Sequence, residues 1–338
     1  MRRKQGRVTL DHGGGGRASR ELVQGYFLPR FANPFLEKMD DSAVVDLAAG
    51  RLALTTDCYV VDPIFFPGGD IGMLAVNGTV NDLSVQGARP LFLSAAFILE
   101  EGFELADLDR ILISMARASR EAGVSIIAGD TKVVPKGKGD KIYINTTGVG
   151  LVQEDLDISG RNAKVSDRVI LSGPVGDHGI AVLSQREGLA FDTDLKSDCA
   201  PLNHMVEEIL TVTREIHAMR DPTRGGVAAS LNEIARQSGV GIVLIEGAIR
   251  IREEVRSACE ILGLDPLYVA NEGRLIAFVP PEHAFGVLET MRQNQHGRDA
   301  QIIGEVVADH PGRVVMRPTT GGTRIVDMPL GEQLPRIC

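Results

Sequence analysis

The sequence predicts a mixed α/β protein of two similar-sized domains. Strand-like and helix-like apolar patterns alternate along nearly the whole chain, and 338 residues exceed a comfortable single domain. The run Leu52 to Tyr59 is rich in β-formers and reads as a strand, and Pro67-Gly68-Gly69 supplies a turn before a helical stretch from Asp70 to about Gln86. Leu91 to Leu99 is a second apolar strand. Leu105, Leu108, Ile111, Leu112, Met115 and Ser119 then recur at helical spacing, with Gly123 as the stop. Val124 to Ala128 and Ile142 to Val152 are further strands around a lysine-rich loop at Pro135 to Lys141.

The polar segment Glu154 to Asp167 marks the expected boundary, giving domains at 1–153 and 154–317. Beyond it, Val169 to Leu171 reads as a strand, 179–187 as a short helix, and the spaced apolar residues from Leu202 to Ile216 as a longer one. Alternation continues through Ile242–Ile245, Leu275–Val279, 281–294 and Gln301–Val307, with no fixed-period repeat. From Pro318 onward glycine and proline recur with few core-forming residues. Residues 318–338 are therefore expected to form a flexible tail, able to extend roughly 65–70 Å.

A formal charge of −9, no tryptophan and 4% aromatics argue against a nucleic-acid partner, which would call for a basic stripe or a stacking surface. No secretory signal and no bilayer-length apolar run are apparent, so a cytoplasmic location with no membrane partner is expected. Cys58, Cys199, Cys259 and Cys338 lie far apart without C-x-x-C spacing, which argues against a zinc knuckle or disulfide framework. The first three read as small buried hydrophobes.

Four constellations suit phosphate chemistry. Asp40-Asp41, Asp57, Asp82 and Asp130 fall in the first domain beside apolar elements, where a carboxylate is costly without a partner; such oxygens suit magnesium, although acids at turns also serve as caps. His12-Gly13-Gly14-Gly15-Gly16-Arg17 offers backbone N–H groups ahead of a helix, yet it is not a Walker loop and reads equally as a linker. Gly129-Asp130-Thr131-Lys132 places a lysine beside an aspartate, where it would neutralise a transferring phosphoryl group or simply stand at a surface. Asp221-Pro222-Thr223-Arg224-Gly225-Gly226 would suit phosphates, or ordinary helix punctuation.

The chain ends in Pro335-Arg336-Ile337-Cys338. A cysteine in last place cannot be a prenylation box, and its own α-carboxylate disfavours the thiolate. Activation must come from Arg336 or from a site into which the tail docks.

These residues in this order resemble the HypE family of hydrogenase maturation proteins, the carbamoyl dehydratases. That family sits among ATP-binding proteins sharing the aminoimidazole-ribonucleotide synthetase fold. The similarity runs from about Val8 to Cys338 and is carried by residues 55–88, FILEEG (97–102), GDTKVV (129–134), DPTRGG (221–226), NEGR (271–274) and the closing PRIC. The resemblance implies a homodimer that binds ATP and Mg2+. It implies a HypF-type carbamoyltransferase that loads a carboxamide onto the terminal thiol, ATP-dependent dehydration to a thiocyanate, and transfer of cyanide to iron on a HypC–HypD complex. Residue by residue, it places metal ligands on Asp41, Asp57, Asp82 and Asp130. Nucleotide contacts fall on Gly13, Gly14, Gly15, Gly16, Asp57, Asp130, Thr131, Asn145 and Arg224. Catalysis falls on Lys132, Asp82 and Cys338, with Glu272 as the base near the docked tail. Two other readings compete: a related ATP-dependent kinase or synthetase acting on a diffusible small molecule, and a non-catalytic maturation scaffold.

Overall fold

The computed structural model describes residues 16–27, 36–41, 43–47, 50–153, 155–186, 194–331, 334 and 336–338. A short helix α1 (Arg17–Leu22) leads into a π-helical turn (Val23–Phe27). Strands β1 (Ala43–Leu47) and β2 (Gly50–Tyr59) form a hairpin, and β3 (Phe65–Phe66) and β4 (Gly69–Asp70) form a second, minimal one around Pro67-Gly68. Helix α2 (Ile71–Val85) is buried along nearly its whole length. Its N-terminus is fixed by Asp70, whose Oδ1 accepts from Gly72 N at 2.8 Å, Met73 N at 3.0 Å and Ser114 Oγ at 2.8 Å. Strand β5 (Ala88–Glu100), helix α3 (Leu105–Ala122) and strand β6 (Ser125–Val134) make a parallel β–α–β crossover, and β7 (Ile142–Val152) completes a five-stranded sheet in the order β1-β2-β7-β5-β6.

Helices α2 and α3 cover one face of this sheet. The other is open: Leu54, Phe92 and Ile98 are exposed there, and edge strand β6 is exposed over nearly its whole length, Ile127 by 63% and Val133 by 66%. The second half builds a seven-stranded sheet, β14-β13-β10-β12-β8-β11-β9, from β8 (Arg168–Leu171), β9 (Ala218–Arg220), β10 (Gly241–Ile245), β11 (Ile276–Val279), β12 (Gln301–Val307), β13 (Val314–Arg317) and β14 (Arg324–Val326). Helices α4 (Asp177–Arg186), α5 (Asn203–Val212), α6 (Gly226–Ser238), α7 (Glu253–Leu262) and α8 (Pro281–Gln293) accompany it. One apolar cluster spans both halves, packing Leu83, Val85 and Leu156 against Met205, Ile209 and Met291.

Three expectations are corrected. Gly129-Asp130-Thr131-Lys132 does not follow a strand but lies inside β6, because β5 and the strand-forming Val133-Val134 carry the ladder through it. The helix expected to reach Ile216 ends at Val212, where Thr213 turns extended. The described part of 318–338 is anchored rather than free: β14 joins the second sheet, and Val326, Met328 and Ile337 are buried. No helix among the described residues is long and apolar enough to cross a membrane.

Candidate active site

Strand β1 pairs with β2 only as far as Leu54, so Thr55 to Tyr59 have a free edge. That edge forms one wall of a cavity of about 210 Å³. Helix α2 presents Gly78 and Asp82 to it, one turn apart on the same face. A Cβ on Gly78 would stand 2.3 Å from the Tyr59 hydroxyl, so this glycine makes room for the ring. The second domain closes the cavity with Asp221, Thr223 and Arg224 from the turn between β9 and α6, and with Glu272 from the loop before β11.

The supporting hydrogen bonds explain why two separated motifs meet here. Asn271 holds the Asp221 turn through Nδ2 to Pro222 O at 2.9 Å, and its Oδ1 accepts from Gly176 N at 2.8 Å. Glu272 N donates to Asp198 Oδ1 at 3.1 Å, while Asn81 of α2 donates to Glu272 O at 3.3 Å and to Ala200 O at 3.1 Å. Gly273 is required by close approach, since a Cβ would fall 1.8 Å from Asp198 O.

Asp41, Asp82 and Asp221 offer carboxylate oxygens within 4.8 Å of one another. Burial, then Asp57 and the neighbouring carboxylates, push Asp82 well up. Asp41 rises to about 8, through burial against the lowering effect of Arg220, to which it is ion-paired; Asp221 rises to about 6, mainly through burial. Asp41 Oδ2 is buried with no hydrogen-bond partner. A hard divalent cation would relieve this repulsion and satisfy that oxygen, so the donor set fits magnesium. Thr55 Oγ1 orients Asp82 at 2.8 Å, and the Tyr59 hydroxyl reaches Asp57 Oδ2 at 3.3 Å.

Into the same cavity comes Cys338. Val60 N donates to Cys338 O at 3.0 Å and Asp62 N to Arg336 O at 3.1 Å, so the tail runs antiparallel to the segment that leaves β2. Ile337 is 3% exposed within the first-domain core, and Arg336 is paired with Asp140. Burial, followed by the charge of Glu272, pushes the Cys338 thiol well up, while Arg224 opposes this; the thiol hydrogen-bonds Glu272. Glu272 is itself pushed up, chiefly by burial, and its Oε1 is buried without a partner.

The structure thus brings Asp41, Asp57, Asp82, Glu272, Arg224 and Cys338 together. It sets the rest apart. Cys58, Asn145, Ala96 and Asp130 form one cross-strand row on the open sheet face, which places Asp130 three strands from β2, roughly 14 Å away. Asp57 points to the opposite, helix-covered face. Asp130, Thr131 and Lys132 are exposed, with Asp130 Oδ1 capping its neighbour's N–H, and Asn145 donates to Asp57 O at 2.8 Å. Gly13, Gly14 and Gly15 lie outside the described residues. Gly16 is buried, and next to it Arg17 N bonds Pro329 O at 2.9 Å.

Several residues of the cavity were not singled out as ligands or contacts, chief among them Asp221, hidden within a motif that also reads as helix punctuation, and Tyr59. Among the cysteines, Cys199 and Cys259 are buried as expected but Cys58 is exposed, because strand alternation turns it to the open face.

Residues 39–152 match the N-terminal domain, and 164–317 the C-terminal domain, of the AIR synthase related proteins. The carbamoyl dehydratase HypE of Azotobacter vinelandii is 55% identical over 335 residues, spanning 99% of this chain and 98% of its own. The chain belongs to the HypE family. Two solved HypE structures superimpose closely on this HypE-family chain. One, a HypE–HypF complex, is 51% identical with a TM-score of 0.87, covering 91% of this chain and 99% of that one. The other, HypE in complex with ATP, is 52% identical with a TM-score of 0.83, covering 98% and 100%.

Proposed function

We propose that the chain is an ATP-dependent carbamoyl dehydratase that converts an S-carboxamide on Cys338 to a thiocyanate, the cyanide source for hydrogenase iron. The observation that carries this reading is the seating of the last residue's sulfur beside Glu272, a buried carboxylate with its Oε1 unpartnered, in an acidic cavity. Relatives named carbamoyl dehydratase support it.

An amide oxygen is a poor leaving group. ATP supplies the phosphoryl group that makes it a good one, and Mg2+ would offset the accumulating negative charge. Asp41, Asp82 and Asp221 are the residues to hold the cation, with Asp57 beside them. Arg224, at the cavity's rim, is the chain's own positive charge facing the thiol; its field strengthens wherever water is excluded. Glu272 accepts the N–H protons of the carboxamide. Its burial keeps the carboxylate a stronger base than a solvated glutamate, as that step requires. Dehydration balances as loss of one water, carried away as phosphate by cleavage of ATP to ADP.

The open sheet face supports a homodimer. Pairing two such faces buries Leu54, Phe92 and Ile98, and it sets Asp130, Lys132 and Asn145 within an interface where a nucleotide could contact them, with Thr131 on the other side of the same edge strand. A HypF-type carbamoyltransferase as cargo donor accords with the relative solved in complex with HypF. A HypC–HypD complex as cyanide acceptor, and a cytoplasmic location, complete the proposal. Intact mass of the carbamoyl-loaded protein before and after ATP tests it. Loss of one water in the unmodified chain, absent in Lys132→Ala and Cys338→Ala, is the expected result; an unchanged mass under every condition defeats the reading.

A further inference from the structure

An antiparallel edge strand satisfies every second carbonyl of the chain it receives. Here the amides of Val60 and Asp62, just past β2, serve Cys338 O and Arg336 O, so the carbonyl of Ile337 points the other way, into the protein. It is met by His178 of α4, whose side chain is fully buried and whose Nε2 stands 2.9 Å from Ile337 O. A carbonyl oxygen accepts and never donates, so Nε2 carries the hydrogen. Nδ1, 2.8 Å from Ser197 Oγ, is then an acceptor for the serine hydroxyl, and Ser197 Oγ accepts in turn from Cys199 N at 3.0 Å. Every polar atom in this chain of bonds is satisfied by a neutral imidazole. The Phe66 ring, packed edge-on at 89° with centroids 5.4 Å apart, holds the imidazole plane. Two turns further along α4, Arg186 donates to Arg336 O at 2.6 Å and to Asp62 O at 2.7 Å, tying tail and receiving edge together.

We infer that His178 is a positioning residue for Cys338, holding the docked tail so that the thiol sits beside Glu272 and Arg224. A slip of one residue would turn Ile337 out of its apolar pocket, so the side chain sets the register. The imidazole N–H adds the buried bond that keeps the correctly seated tail in place, on the side that the receiving edge cannot reach. This assignment rests on Cys338 as the residue that carries the reacting group.

The test is alkylation of the full-length protein with iodoacetamide, without nucleotide, read cysteine by cysteine from peptide masses. His178→Ala is expected to raise the Cys338 rate roughly tenfold, as the docked population falls with one buried bond lost. His178→Gln, whose side-chain N–H can reach the same carbonyl, returns most of the protection. Cys199 and Cys259 stay slow in all three proteins. In carbamoyl-loaded protein, His178→Ala lowers the turnover rate with the KM for ATP unchanged. An unchanged Cys338 rate in His178→Ala overturns the inference, and so does a rise shared by Cys199 and Cys259, which would make His178 a support of the fold. The labelling reports docking whatever the cargo is, whereas dehydration persisting in Cys338→Ala would refute the functional reading and leave the latch standing.

Discussion

Asp221→Asn removes one charge from the three-carboxylate cluster while keeping the side chain's shape. In metal-free protein the folded state holds this carboxyl at about 6 against a reference of 3.8, with burial the leading cause. A carboxyl raised on folding binds more protons in the native state than in the unfolded one. Its contribution is therefore intact below about pH 4 and lost as pH rises through about 6. The difference corresponds to about 3 kcal/mol at neutral pH. With a chelator present, wild type should melt progressively lower between about pH 4 and 6.5. The amide variant should lose less, and at pH 7.5 it should melt above wild type by roughly 1–2 °C per kcal/mol recovered. Magnesium should reverse the order: a cation at about 100 times its dissociation constant adds about 2.7 kcal/mol to wild type and much less to the variant. Scanning calorimetry across pH, with chelator and with magnesium, decides it. If Asp221→Asn melts at or below wild type at pH 7.5 without metal, or gains as much from magnesium, the cluster is not a cation site.

Glu272→Gln should leave the tail docked yet slow dehydration by roughly 10²-fold or more, so that carbamoylated protein accumulates in intact-mass time courses. Gly78→Ala should cost about 1–3 kcal/mol in denaturant midpoint, because its methyl would overlap the Tyr59 hydroxyl. Phe92→Asp with Ile98→Asp on the open sheet face should shift the light-scattering mass to that of a monomer and leave the melting of the isolated chain nearly unchanged; an unchanged dimer mass would place the interface elsewhere.

Much of this architecture was legible because periodicity carries it. β2, α2, β5, α3 and β7 were read within a few residues of their bounds, and the Pro67-Gly68-Gly69 turn announced the start of α2. The cavity was legible less evenly. Asp82 could be placed near Gly78 from helical spacing alone, but nothing local says that Asp221 and Glu272, from turns far along the chain, face the same space. That meeting is a tertiary fact, made by Asn81 reaching the backbone at Ala200 and Glu272. Lys132 shows the converse. A lysine two residues after an aspartate suggests one phosphate site, yet the β-ladder carries both out along a sheet face, away from the acidic cluster. Proximity in sequence was the weaker guide there, since strand alternation separates neighbours by face before it gathers strangers by row.

The docked tail needs to be held firmly enough to react and loosely enough to leave, and the contacts seen are of that magnitude. Ordering about five tail residues costs about 5–10 kcal/mol. Against this stand the bonds to Arg336 O, Ile337 O and Cys338 O, at about 1 kcal/mol net apiece. Burial of the Ile337 side chain adds about 2–3 kcal/mol. The two sides nearly cancel, so small changes in the cavity decide where the tail resides. A thiol in a buried acidic pocket is held in its protonated, unreactive form, which protects it while docked and leaves its nucleophilicity for the undocked state. A carboxamide on that sulfur has no thiolate to suppress. The cavity that disfavours a bare thiolate therefore accepts the neutral loaded group as it accepts the neutral thiol, with no charge to bury in either case.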